Sequence, residues 1–178
     1  MRIISGSHKG RQIFPDKYFT ARPTTDFAKE NLFNVLNHYI NFEGIKALDL
    51  FSGTGSISYE LASRGAAEII SVELNYKHFA FIKRTAQELG LTKIKVYKND
   101  SFSACKKLKG THFDLIFADP PYNLPEIEQI PTVIFDNDLL TESGIAIVEH
   151  PASVDYSSFR YFCEHRAYGS VNFSLFRK

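Results

Sequence analysis

From Ile45 onward, short apolar runs alternate with stretches of helical periodicity, and this alternation leaves the chain very few architectures. Ile45-Lys46-Ala47-Leu48-Asp49-Leu50 reads as a strand. A helical pattern over 56–64 follows and is closed by Gly65. The cycle repeats with a strand at 68–73 and a helix at 76–89, whose Phe79, Ile82, Ala86 and Leu89 share one face before Gly90 stops it. A strand at 93–98, a short helix at 101–108 and a strand at 113–118 come next. The spacing then predicts a helix over 132–140 and a fifth strand at 144–149. Strands joined through helices run parallel. Residues 160–163 and 171–176 lie too close together for an intervening helix, so they form a hairpin that adds an antiparallel strand.

The segment ahead of Ile45 is different. Pro23, Thr24, Thr25 and Asp26 mark a helix start, because these side chains can cap free backbone N–H groups. Leu32, Val35, Leu36, Tyr39 and Ile40 recur at helical spacing, and the helix should end near 41–44. Residues 1–20 read as a short β-rich arm: Arg2-Ile3-Ile4, a turn at Ser5-Gly6, and Arg11-Gln12-Ile13-Phe14 before Pro15. The expectation is one α/β domain over 1–178, with an arm at 1–23 and a core at 24–178. The chain has 178 residues and is 44% hydrophobic, enough for one full core.

Formal net charge is only +1, but it is unevenly spread. Arg2, Lys9, Arg11, Lys17, Arg22 and Lys29 outnumber Asp16, Asp26 and Glu30 in the first thirty residues. Such an arm suits a polyanionic partner, or it is simply a solvated tail. Cys105 and Cys163 show neither metal-ligand spacing nor a disulfide framework, and the histidines show no metal spacing. No run reaches membrane-span length and no apolar signal core opens the chain. These features lead to the expectation of a cytoplasmic protein without metal or membrane.

The chemistry-bearing residues fall where the expected strands end, the edge at which open α/β sheets bind ligands. Asp49-Leu50-Phe51-Ser52-Gly53-Thr54-Gly55 bends between a strand and a helix, where glycine lets the backbone approach a ligand closely. Glu73 ends the second strand and could accept from two ribose hydroxyls; Asp100 ends the third and could accept from an adenine amine. The loop lacks the dinucleotide signature, since Ser58 stands three places after Gly55. An acid at Asp49 suits a cationic ligand better than a pyrophosphate, and S-adenosylmethionine meets that requirement. Asp119-Pro120-Pro121-Tyr122 follows the fourth strand. The prolines stiffen the backbone and leave its carbonyls free to accept hydrogen bonds. The Asp119 carboxylate, the Pro120 carbonyl and a Tyr122 ring stacked on the base together suit the amine of a nucleobase, which must be unpaired or flipped out to enter.

The order Asp49-x-Phe51-x-Gly53-x-Gly55, Glu73, Asp100 and Asp119-Pro120-Pro121-Tyr122 resembles the class I S-adenosylmethionine-dependent amino-methyltransferases. Arg2-Ile3-Ile4-x-Gly6, Lys9-Gly10-Arg11, Arg22-Pro23-Thr24-Thr25-Asp26 and Glu30-x-Leu32-Phe33-Asn34 narrow the resemblance to the RsmD family, which methylates the N2 amine of a guanine in 16S ribosomal RNA. The resemblance implies a Rossmann-like, mostly parallel seven-stranded sheet with an antiparallel C-terminal strand. It implies S-adenosylmethionine as cofactor, held by Asp49, Phe51, Ser52, Gly53, Thr54, Gly55, Glu73, Asp100 and Asp119. Catalysis falls to Asp119, Pro120 and Tyr122, and Arg2, Lys9, Arg11 and Arg22 would face RNA phosphate. The implied partner is ribosomal RNA, within a small subunit or its assembly intermediate, met by a monomer. Two other readings stay open: a DNA adenine-N6 methyltransferase, and a non-catalytic RNA-binding module with a relic pocket. A nicotinamide-dependent oxidoreductase is a third.

Overall fold

A computed structural model of the chain describes residues 1–15 and 25–178. Seven strands form one sheet in the order β3-β2-β1-β4-β5-β7-β6. They are β1 (Lys46–Leu50), β2 (Glu68–Glu73), β3 (Ile94–Lys98), β4 (Phe113–Ala118), β5 (Leu140–His150), β6 (Phe162–Tyr168) and β7 (Val171–Phe176). Strands β1 to β5 pair in parallel, while β7 runs antiparallel to both β5 and β6. The chain order reverses beside β1, because β2 lies on one side of it and β4 on the other. A crevice opens at the carboxyl edge of such a point.

Helices α1 (Asp26–Leu36), α2 (Ser56–Ser63), α3 (Tyr76–Glu88), α4 (Ser101–Lys107) and α5 (Ile130–Asp136) cover the two faces, with a short 3-10 turn at Ile127–Gln129. Alternate strand residues feed two separate cores. On one face Ala47, Ile69, Leu115, Phe117 and Ile147 pack with Leu32 and Phe33 of α1, Leu61 of α2 and Ile82 of α3. On the other Leu48, Leu50, Ile116 and Val148 pack with Ala104 of α4 and Ile134 of α5. Both faces of β1, β2, β4 and the second half of β5 are buried, which is why those strands read as continuous apolar runs, whereas the edge strand β3 is largely exposed.

Three expectations shift. Helix α1 ends at Leu36, several residues before 41–44. Helix α5 runs Ile130–Asp136 and β5 already begins at Leu140, because Asp138 takes φ +49° and turns the chain out of the helix. Among the described residues the arm is a looped pair joined by one bridge, Arg2 to Gln12, rather than a ladder of strands. The expected helix start at Pro23 and Thr24 lies outside the described residues; within them, Thr25 caps α1 by accepting from the Ala28 N–H.

The arm is held by α2. Glu60, fully buried, accepts from the N–H groups of Ile4 (2.7 Å) and Ser5 (3.0 Å) and from Arg64 Nε (2.8 Å). The Ser63 carbonyl accepts from the Ser7 N–H at 2.8 Å, and the Ser63 hydroxyl donates to the Ser5 carbonyl. Gly6, at φ +82°, approaches so closely that a Cβ there would lie 1.8 Å from the Ser63 oxygen. Lys29 completes the joint: it is 1% exposed and its Nζ donates to the Arg2 carbonyl (2.6 Å) and the Ser56 hydroxyl (3.0 Å). Burial lowers its pKa, against the opposing pull of Glu60 and Asp26.

Candidate active site

An open cleft of about 840 Å³ runs along the carboxyl ends of β1, β2, β4 and β5. The loop after β1 forms one wall. Phe51 takes φ +58°, a conformation costly for a bulky side chain and therefore held by its surroundings. Its N–H donates to the Ser101 hydroxyl at 3.2 Å, and its ring meets Phe102 edge-on. Phe51, Gly53 and Thr54 line the cleft. Gly55 does not: its left-handed φ of +81° starts α2, and a Cβ would strike the Tyr59 ring at 2.8 Å.

Ser52 and Asp49 do not line the cleft either. The Ser52 hydroxyl donates to the Asp49 carbonyl at 2.7 Å and accepts from the Ser71 hydroxyl at 2.8 Å. The Asp49 side chain is 1% exposed and accepts from the Ser58 hydroxyl beneath the loop. Burial pushes its carboxyl up to about 7, although the Ser58 hydrogen bond favours the anion. Both are expected to touch the cofactor; neither is among the residues that line the cleft, and their side chains brace the loop from within.

Glu73 is the best-organised acid of the cleft. Its Oε2 accepts from the Gly53 N–H at 2.8 Å and its Oε1 from the Asn75 N–H at 2.7 Å, with His78 Nδ1 3.8 Å away. The carboxylate is thereby locked to the loop, while its remaining lone pairs face the cleft. Leu74, next in the chain, is 64% exposed on the cleft wall and offers an apolar surface to a flat ring. Asp100 lines the same wall and caps α4 through one oxygen, accepting from the Ser103 N–H at 2.8 Å.

The opposite wall is Asp119, Pro120, Pro121 and Tyr122. The Asp119 N–H donates to the Leu50 carbonyl at 3.3 Å, which ties the residue after β4 to the end of β1. Pro120 is buried and Tyr122 is 45% exposed, with its hydroxyl donating to Glu149 Oε1 at 3.0 Å. Glu149, Ser170 and Val171 complete that side. The sequence already puts Glu149 at the end of the fifth strand, where it could line the cleft, but assigns it no chemistry; it is the penultimate residue of β5, as Glu73 is the last of β2 and Asp100 follows β3. The hairpin residues Ser170 and Val171 carry no sequence signal of a site, since only pairing β7 beside β5 brings them there.

Of the basic residues expected to meet RNA, Arg2, Lys9 and Arg11 are exposed on the arm, and Asp26 lies 4.0 Å from the Arg2 guanidinium. Arg22 lies outside the described residues. Lys29, counted with the basic arm, is buried and adds nothing to its outer surface. Among the described residues no cluster of His, Cys, Asp and Glu could hold a metal ion, and no helix is long and apolar enough to cross a membrane.

The whole arrangement, arm included, is that of a known family, whose model, described as Conserved hypothetical protein 95, matches residues 1–177. The chain belongs to this family. It is the RsmD family that the motifs resemble. The Bacillus subtilis protein YlbH is 38% identical over 158 residues, covering 87% of this chain and 85% of that one. The protein named Ribosomal RNA small subunit methyltransferase D in Haemophilus influenzae is 32% identical over 152 residues, covering 84% of this chain and 78% of that one. Among solved structures, yhhF from Escherichia coli superposes with a TM-score of 0.86 at 26% identity, covering 100% of this chain and 97% of that one. The class I methyltransferase fold of this chain is thus shared along its length.

Proposed function

We propose that this protein transfers a methyl group from S-adenosylmethionine to the exocyclic N2 amine of a guanine in small-subunit ribosomal RNA. One observation carries the reading: Asp119, Pro120 and Tyr122 face Gly53, Glu73 and Asp100 across a single cleft. The relatives named for small-subunit ribosomal RNA methylation support the substrate class.

The residues present fit the cofactor. Glu73, fixed by two backbone N–H groups, is set to accept from ribose hydroxyls. Leu74 offers an apolar face to the adenine ring and Asp100 an acceptor to its amine. S-adenosylmethionine supplies a methyl group already activated for displacement, so this chain's work is positioning. The amine of a purine is a weak nucleophile because its lone pair is delocalised into the ring. The Asp119 carboxylate accepts one N–H and the Pro120 carbonyl the other, which favours a tetrahedral nitrogen with its lone pair directed across the cleft. Tyr122, half exposed and tethered through its hydroxyl, stacks on the base. Asp119 is also the acceptor for the proton the amine must shed. Exposed Lys9 and Arg11 on the arm hold RNA phosphate outside the cleft.

The experiment supplies labelled S-adenosylmethionine with small ribosomal subunits from cells lacking the gene, with naked 16S RNA and with DNA. Label in the N2 of one guanine of the RNA is expected, and mapping identifies that nucleotide. Asp119→Ala should abolish transfer while S-adenosylhomocysteine binds with nearly unchanged affinity. Label confined to DNA adenine would overturn the substrate, and full activity of Asp119→Ala would overturn the mechanism.

A further inference from the structure

Glu149 has no part in the reaction described above, yet the structure spends a buried carboxylate on it. It is 5% exposed and still lines the cleft beside Asp119. Ala118 of β4 pairs in register with Val148 of β5, so Asp119 and Glu149 leave adjacent parallel strands side by side, about 5 Å apart at the backbone. The Tyr122 hydroxyl donates to Glu149 Oε1 at 3.0 Å, so the acid and the ring set to stack on the base are fixed relative to each other. A carboxylate held this way at a cleft wall suits a ligand edge that presents hydrogen-bond donors.

The Watson–Crick edges of the purines differ in this respect. Guanine presents N1–H and the N2 amine as neighbouring donors. Adenine presents its amine next to a bare N1 lone pair, which a carboxylate repels. Two carboxylates on neighbouring strand ends therefore complement guanine and reject adenine: Asp119 takes the amine, and Glu149 takes the adjacent N–H. We propose that Glu149 is a specificity-determining residue that reads the N1–H of the target guanine, and that the Tyr122 hydroxyl holds it in position to do so. This inference rests on the guanine-N2 reading and explains how the same Asp-Pro-Pro-Tyr wall is restricted to one purine.

The test uses small ribosomal subunits carrying 2-aminopurine in place of the mapped guanine. This base keeps the reacting amine but leaves N1 bare. The wild-type protein should methylate it with a kcat/KM at least about a hundredfold below that for guanine, since a site built around a substrate N–H strongly rejects an analogue lacking it. Glu149→Gln offers an amide that can donate to the bare N1. It should lower kcat/KM for guanine about tenfold or more and raise it for 2-aminopurine, while S-adenosylhomocysteine affinity stays within about twofold of wild type. Equal methylation of guanine and 2-aminopurine by the wild-type protein overturns the inference without recourse to any variant. So does a Glu149→Gln variant that binds S-adenosylhomocysteine normally and keeps the wild-type preference. Methylation of a different base altogether would instead bring down the reading on which the inference rests.

Discussion

The buried carboxylate of Glu60 gives the most direct test of how the arm is held. Three donors converge on it: the N–H groups of Ile4 and Ser5, and Arg64 Nε, all within 3.0 Å. Glu60→Ala removes the shared acceptor and leaves a partly buried guanidinium, with Arg64 packed 4.4 Å from the centre of the Phe33 ring. A hydrogen bond to a charged group contributes about 1.5–3 kcal/mol, but three bonds to one acceptor are not additive. The two backbone donors can regain water by letting the arm swing out, so the loss is bounded by the arm's docking energy plus the orphaned Arg64. Breaking one partner of a buried ion pair costs roughly 3–5 kcal/mol, and about 4 kcal/mol is expected here. For a chain of this size each kcal/mol moves Tm by about 2–4 °C, so the expected fall is roughly 8–16 °C. Thermal unfolding followed by circular dichroism reads it, and amide hydrogen exchange should show Ile4 and Ser5 losing protection. A fall of less than about 3 °C with both amides still protected would refute the reasoning.

Three further outcomes can be checked on the same preparation. Burial raises the Asp49 carboxyl from an ordinary 3.8 to about 7, so its ionisation opposes folding. Stability should fall as pH rises from about 4 through about 7 and then level off, and Asp49→Asn should gain up to roughly 4 kcal/mol over wild type at pH 8 but much less at pH 5, read as the Tm difference at each pH. Glu73→Ala removes the acceptor that both organises Gly53 and faces the cleft; S-adenosylhomocysteine affinity by calorimetry should drop at least about thirtyfold. Gly6→Ala forces a Cβ against the Ser63 carbonyl and should free the arm for cleavage in limited proteolysis, whereas Gly10→Ala, with a similar φ of +84° but nothing within 4 Å, should leave the arm resistant.

The alternation of apolar runs is enough to read β1 to β5 as parallel strands, though not their order in the sheet, because local periodicity is what a doubly covered sheet imposes on a sequence. The strand-end rule that selects Glu73, Asp100 and Asp119 picks residues that line one cleft for the same reason: they sit where the apolar runs stop. Asp49 stands at a strand end too but does not line the cleft, since Ser58, in the first turn of α2, donates to its carboxylate. The boundary of β5 was misplaced because Leu139 and Leu140 continue the periodicity of α5, and only the left-handed turn at Asp138 separates them. The arm's joint was the least legible part. Lys29 reads as one of the basic arm residues and Glu60 carries no signal in the sequence, yet each is buried by partners that the sequence sets 27 and 55–56 residues away. No local pattern encodes such pairings.

The acids lining the cleft have an effect that reaches beyond its ligands. Glu73, Asp100, Asp119 and Glu149 all border it. A sugar-phosphate backbone is repelled from such a wall, so a polynucleotide can offer it only a base turned away from its own charge. Added salt then acts in two opposed ways: it weakens the grip of the arm on phosphate and softens the repulsion at the mouth. Turnover on a large RNA should accordingly pass through a maximum at intermediate ionic strength.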